Sequence, residues 1–395
     1  MANTYLNSQI ITRKALAIWH QKSNFIGKIN RQYDDRFANK GAKIGETLQI
    51  RKPNKYTVRS GRVMAVQDTI NTTTALTVAT QRGVDLDFTQ VDLTMKIEDF
   101  AETHLEPAIS VLAANVEFEV MNGLYKTVQN EVGTQGSPVN SLKTILNAGR
   151  KLDESLAPYN NRCITMNTQT RVNMVDAMKG LFNDQSAVAK QFRSGMIGKN
   201  VLGFDWFQNT LLPTHTRGGA NANYVVNGAG QTGSTLTVGT GAGTLLAGDT
   251  FTIAGVSAIH PETRQAYPYL QQFVVTADYA GGGGNVSIYP AITTSGSYQT
   301  VSGSPANGAV ITISGTANQQ AGMNLAFQKD AFTFVSTDLE LPKGMDMAYR
   351  ARMDNVSMSF VRGYDIVNGV FLSRLDILFG FKELYPEWAC RIASD

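Results

Sequence analysis

Histidine and cysteine are scarce in this chain of 395 residues. Its two cysteines, Cys163 and Cys390, stand far apart and in no CxxC spacing, which excludes a disulfide-built scaffold and leaves no zinc pattern. Both read as buried thiols. His20, His104, His215 and His260 fall in four separate segments without HxH or HExxH spacing, so metal ligation has nothing to rest on. Charged residues make up 17% and the net charge is +3, too weak and too dispersed for a dedicated reader of nucleic acid. No run approaches 18 apolar residues, and Arg13 and Lys14 interrupt the N-terminal apolar positions. Neither a membrane span nor a signal peptide is therefore expected, and the chain is expected to stay in the cytosol.

Catalytic motifs are missing too. There is no GxSxG elbow and no P-loop, and the GGGG at 281–284 and GTGAGT at 239–244 lack the lysine and the following helix that a phosphate cradle needs. They read as turns. The acidic pairs Asp34–Asp35 and Asp85/Asp87 lie on an arm and a hairpin, where carboxylates are solvated or ion-paired rather than held at a dry catalytic distance. No enzyme, cofactor or metal is expected.

What is present is a sequence of contrasting styles. Residues 1–40 carry Leu6, Ile10, Leu16, Ile18 and Trp19 at loosely helical spacing, an amphipathic arm that packs on its own domain or on a partner. From 41 to 88 the period drops to two, with Pro53 and Gly61 as punctuation, and the pattern predicts a long two-stranded ribbon. Arg51, Lys52, Lys55, Arg59 and Arg62 crowd one arm of it with Tyr56 among them and no acidic partner, so they face water or an acidic neighbour. A ribbon so poor in apolar residues is weakly stable alone. Leu6, Ile10, Trp19 and these six ribbon residues are the candidate contacts between subunits.

In the next segment, 89–137, Leu105, Ile109, Leu112, Val116, Val120, Leu124 and Val128 recur at steps of three or four, which predicts a helix of about seven turns starting near Pro107. Residues 138–213 alternate helices with short strands and stop at Pro213. Across 214–325 short Thr/Val/Ile strands separated by glycine turns predict an all-β barrel, and 326–395 resumes the earlier style with antiparallel strands. Pro213 and Phe327 thus read as two ends of one interrupted domain with a barrel inserted between them.

Taken in order, INRQYDDRFANKGAKIGETLQIRKP (29–53), the long helix, GKNVLGFDWFQNTLLP (198–213) and AGDTFTIAGVSAIHPETRQ (247–265) resemble the major coat protein of short-tailed double-stranded-DNA phages, in particular the Salmonella short-tailed-phage type. The resemblance implies an α+β Hong Kong 97 capsid fold: N-terminal arm, extended loop, spine helix, and an axial domain split by the inserted barrel. It also implies hundreds of copies assembling with a scaffolding protein and a portal, in the bacterial host cytoplasm, into a shell that expands as double-stranded DNA enters. The virion capsid would then be the protein's final location, with a decoration protein as a further partner and no membrane. The inserted barrel would steady its own subunit or touch a neighbour. Some relatives weld subunits through a Lys–Asn bond. Lys52 or Lys55 lies on the right ribbon, but no catalytic carboxylate can be assigned and no weld is expected. A cellular encapsulating compartment of the same fold is the alternative; a secreted adhesin fails on the missing signal sequence.

Overall fold

The computed structural model describes residues 8–33, 47–64, 66–68, 72–88, 104–178, 200–221, 224–345, 347–367 and 369–395. Leu6 lies outside them. The described chain is mixed α+β and divides into two compact units that do not follow chain order. The first comprises 1–50, 73–120 and 332–382; the second comprises 51–72, 121–331 and 383–395. Among the described residues no helix is long and apolar enough to cross a membrane.

In the first unit the sheet is built from strands distant in sequence. β1 (Asn30–Tyr33) runs parallel to β15 (Phe332–Thr337), followed in order by β18 (Val370–Glu383), β17 (Val356–Asp365) and β16 (Met347–Met353). Phe334 stacks on Phe379, with centroids 5.5 Å apart, at its centre. The arm's helix α1 (Ser8–Lys22) packs on β16 and β17, burying Leu16, Ile18 and Trp19, so it has found its apolar partner on its own chain. Two further contacts hold it: His20 Nε2 meets Asp354 Oδ2 at 3.0 Å and Lys22 Nζ meets Glu106 Oε1 at 3.1 Å.

The predicted apolar stripe is real. Leu105, Ile109, Leu112, Val116, Val120, Leu124 and Val128 are all buried; the middle five lie on α2 (Glu106–Leu124), Leu105 just before it and Val128 beyond it, and Pro107 sits in its first turn where no hydrogen bond is lost. The helix is shorter than seven turns because it tightens into a 3₁₀ turn over Tyr125–Thr127, where the Thr127 hydroxyl donates to Leu124 O at 2.8 Å. Opposite the stripe's rhythm, Glu117 is buried and accepts from the backbone N–H of Asn24 (3.0 Å) and Phe25 (2.7 Å). One carboxylate thereby satisfies the donors of the turn that follows α1.

The long ribbon is only partly a ribbon. β2 (Thr47–Arg51) pairs with β3 (Thr73–Thr77), but Pro53, with no N–H to donate, lies just past the end of β2. Beyond β3 the chain leaves its hairpin partner, and β4 (Thr80–Phe88) runs antiparallel to β18, Phe371 facing Phe88 and Phe379 facing Thr80. Gly380 permits the crossing, since a Cβ there would lie 2.3 Å from Thr77 O.

In the second unit the host sheet has the order β5 (Glu131–Gly133), β19 (Ala389–Ser394), β14 (Gln320–Gln328), β6 (Arg162–Met166), β7 (Asp205–Gln208), with β8 (Thr214–Thr216) also on β14. Helix α3 (Leu142–Glu154) covers it with Ile145, Ala148 and Leu152, spaced by three and four, and is capped by Ser141 Oγ accepting from Lys143 N at 3.2 Å. Helix α4 (Thr168–Met178) adds Met174 and Met178 to the same core, beside Phe204, Trp206 and Cys390.

Between β8 and β14 lies a five-stranded antiparallel sheet, β13 (Ile311–Ile313), β10 (Thr250–Ile259), β11 (Ala266–Val275), β12 (Gly284–Ile292), β9 (Gly233–Val238). It has its own core around the stacked pair Phe251 and Phe273. Its entry and exit strands are hydrogen-bonded neighbours: Thr216 faces Gln320 and Thr214 faces Gly322. The excursion after Pro213 therefore begins and ends at one place.

Candidate assembly surface

Two properties stand out among the described residues: a surface left incomplete in the lone chain, and a buried polar seam that stiffens it. The segment 51–68 has the first property. Tyr56 is 57% exposed, Val63 84%, Met64 75% and Val58 98%, a run of exposed apolar side chains within one short segment of the kind that marks an interaction surface. The segment nonetheless has local order. Gln67 clasps Thr57, its Oε1 accepting from Thr57 N at 2.8 Å and its Nε2 donating to Thr57 O at 2.6 Å. Arg59 donates to Gly61 O and, at 3.2 Å, to Val63 O, around a turn in which Gly61 takes φ +85°, a left-handed conformation that costs glycine nothing.

The other candidate contact residues fall into three groups. Arg51, Lys55, Tyr56, Arg59 and Arg62 are exposed on this segment, with Arg59 turned onto its own backbone. Lys52 is half-buried, its ammonium 5.4 Å from the Tyr385 ring centroid. On the arm, Ile10 is half-buried and Trp19 is 1% exposed, so Trp19 holds α1 to its own unit and offers no surface. Sequence reading weighted the cations and passed over Val58, Val63, Met64 and Val66. The usable signal was β-branched residues alternating with arginines where no core was in reach.

Rigidity comes from a buried polar seam joining the insert to its host sheet. Arg391, on β19 and fully buried, places Nη2 3.1 Å from Glu131 Oε2 and donates through Nη1 to Gly248 O at 2.6 Å. Glu131 also accepts from Thr250 Oγ1 (2.9 Å) and Gln135 Nε2 (3.0 Å). Gln272 of the insert exchanges two bonds with the Glu131 backbone, at 3.2 and 2.9 Å. Alongside, Asp249 accepts from Gly218 N (3.1 Å) and Leu246 N (2.8 Å) and meets His215 Nε2 at 2.8 Å, while Tyr125 OH lies 3.2 Å from His215 Nδ1. His215 is the middle of this hydrogen-bonded chain. The insert touches the host again where Lys151 lies 4.7 Å from the ring centroid of Tyr269, and Tyr269 stacks on Tyr267. Among the described residues no group of His, Cys, Asp and Glu has metal-binding geometry.

Burial pushes the Cys390 thiol up to about 12, with Lys151 opposing, and burial likewise raises the Tyr125 phenol to about 12. Both groups are neutral in the folded chain at pH 8. The folded values lie above the unfolded ones, so the stability they contribute is complete below about pH 9 and is lost as pH climbs toward 12, because the unfolded chain releases these protons first. Cys390 alone accounts for on the order of 4 kcal/mol of that loss. Urea midpoints are expected to be flat from pH 7 to 8.5 and to fall steeply above pH 9.5, and a Cys390→Ala chain is expected to show a shallower alkaline fall. An unchanged slope would remove Cys390 from the account.

Comparison with curated proteins gives no match. By structure the chain is similar to a chain of Mycobacterium phage Che8 at 13% identity, covering 94% of this chain and 90% of that one with a TM-score of 0.49. It is similar to a chain in the asymmetric unit of the bacteriophage PhiM1 mature capsid at 10% identity, covering 94% and 86% with a TM-score of 0.44. The CUS-3 coat protein I-domain aligns at 28% identity over 23% of this chain and 92% of that one, with a TM-score of 0.19. A family model described as "P22 coat protein - gene protein 5" matches residues 42–391, from the end of the N-terminal arm almost to the C-terminus. This chain belongs to the P22 coat protein family.

Proposed function

We propose that this protein is the major capsid protein of a tailed double-stranded-DNA phage, building an icosahedral shell from hundreds of copies on a Hong Kong 97 plan. Membership in a coat protein family makes it a structural shell protein. The finer reading is carried by the segment 51–68, whose exposed Val58, Val63 and Met64 have no partner in their own chain. Such a segment completes itself on another copy, and its stability belongs to the assembly rather than to the monomer.

Assembly proceeds through a scaffold-assisted precursor in the host cytoplasm, with a portal at one vertex, and the shell expands as DNA enters. Weak, repeated contacts suit this route, because misplaced subunits leave before closure. Arg51, Arg59 and Arg62 set register and encounter rate more than affinity. The insert stiffens its host through the Arg391 and Asp249 seam, so that a shift at the subunit edge moves the unit as a body.

Electron microscopy of the purified chain, with and without its co-expressed scaffolding protein, tests the reading. Closed round particles of uniform size, which enlarge on DNA filling or heating, are expected. A monodisperse small species at high concentration with scaffold present would overturn it, and particles enclosing an enzyme instead of DNA would move the protein to the compartment class.

A further inference from the structure

Within the second unit the ribbon segment runs beside a cleft of about 190 Å³ lined by residues of host and insert, among them Gln129, Glu154, Tyr289 and Glu387, with Lys55 of the ribbon at the same cleft. Its chemistry is unbalanced toward acceptors. Gln129 is 4% exposed, and its Oε1 is buried without a hydrogen-bond donor. Glu154 and Glu387 bring two carboxylates: Glu154 Oε1 meets Arg150 Nε at 3.7 Å and the carboxylate is hydrogen-bonded by Tyr269, while its Oε2 is buried without a hydrogen-bond donor; the Tyr289 hydroxyl engages Oε2 of Glu387 at 3.1 Å. Gln129 Oε1 and Glu154 Oε2, two buried oxygens without a donor beside the Glu387 carboxylate, suit a primary ammonium, which supplies three N–H groups and a compensating charge. Lys151, the lysine already in the cleft, is held against the Tyr269 ring.

The geometry points to a binding site for a lysine side chain, and to Lys55 of the same chain as its occupant. Lys52, three residues earlier, sets the approach: its ammonium lies over Tyr385, which stacks on Trp388 with centroids 4.1 Å apart. Two lysines thus seat the root of the ribbon, Lys52 on an aromatic face and Lys55, itself exposed, at the mouth of the acceptor cleft. The seat fixes where Val58, Val63 and Met64 point before a neighbour arrives, so the ordering cost of the contact is met within the free chain. This deepens the capsid reading and rests on it for its purpose, though the seat itself is a property of the lone chain.

The test uses the full-length free chain. Brief acetylation with a succinimidyl ester, read by peptide mass spectrometry, is expected to modify Lys55 about two- to fivefold more slowly than the exposed Lys143, the ratio an ion pair of up to about 1 kcal/mol gives. Glu387→Gln and Glu154→Gln, made separately, are expected to bring the Lys55 rate back toward that of Lys143 while leaving the Lys143 rate unchanged. Lys55→Met is expected to speed tryptic cleavage after Arg59 by a similar factor. Equal rates for Lys55 and Lys143 in the parent chain would overturn the proposal, as would slow Lys55 modification that neither glutamine variant relieves. Because no shell is needed, a protected Lys55 in a chain that never assembles keeps the seat and removes the capsid reading, and a shell-forming chain with an unprotected Lys55 does the reverse.

Discussion

A chain carrying Val58→Ser, Val63→Ser and Met64→Ser together folds as its parent does and fails to build shells. The three side chains are 98%, 84% and 75% exposed, so their loss removes almost no contact from the monomer, and the folding free energy stays within about 0.5 kcal/mol per site. In an assembled contact the same side chains are covered. Each large apolar side chain buried from full exposure contributes roughly 1.5–3 kcal/mol, so even partial covering of three makes a subunit contact weaker by a factor on the order of a hundred or more. The loss repeats at every copy, and closure requires all of them. Light scattering at the concentration where the parent assembles is expected to show no rise, while circular dichroism and the urea midpoint match the parent. Shells formed at the parental rate would take the ribbon out of the assembly surface. Arg59→Gln with Arg62→Gln should behave differently, slowing assembly and flattening its salt dependence with smaller effect on final yield.

The second large effect lies at the seam. Arg391→Ala leaves Glu131 buried without its cation and Gly248 O without its donor, and removal of one partner from such a pair costs about 3–5 kcal/mol. Asp249→Ala is of the same order, because Gly218 N, Leu246 N and His215 all lose their acceptor. Trp206 and Trp388 lie in the second unit outside the insert and Trp19 lies in the first unit, so in a Trp19→Phe background tryptophan fluorescence during urea unfolding reads the host sheet. Its midpoint is expected to drop sharply in both variants, and Arg391→Met combined with Glu131→Met is expected to recover part of the drop by replacing the charges with apolar volume. A loss below about 1 kcal/mol in Arg391→Ala would mean that water reaches the seam.

What was legible in the sequence was whatever depends on near neighbours. The stripe from Leu105 to Val128 needs only helical spacing, and each of its members is buried. The excursion after Pro213 announced itself by composition, and β8 pairs with β14 where it returns. The seam stayed hidden because its members are far apart in the chain: Arg391 and Glu131 are 260 positions from each other, and an arginine near a terminus looks like a surface charge until a carboxylate is placed beside it. The same blindness joined β4 to the hairpin, since its true partner, β18, comes nearly 300 residues later. At the candidate surface the cations were found by their crowding, and the valines between them were missed because alternation predicts a covered face without saying which molecule covers it. Trp19 shows the converse, an aromatic side chain in a terminal segment that is satisfied at home.

The in-register pairing of Thr214–Thr216 with Gln320–Gly322 has one more consequence. Chain exit and chain return stand a single strand spacing apart, roughly 5 Å, so the host closes over the junction as if nothing were attached. A foreign module whose two termini are equally close can be grafted there without re-cutting the host sheet. The graft must also replace what the insert supplies to its host: the Gly248 carbonyl on Arg391, the Thr250 hydroxyl and Gln272 amide on Glu131, and the Asp249 carboxylate on His215.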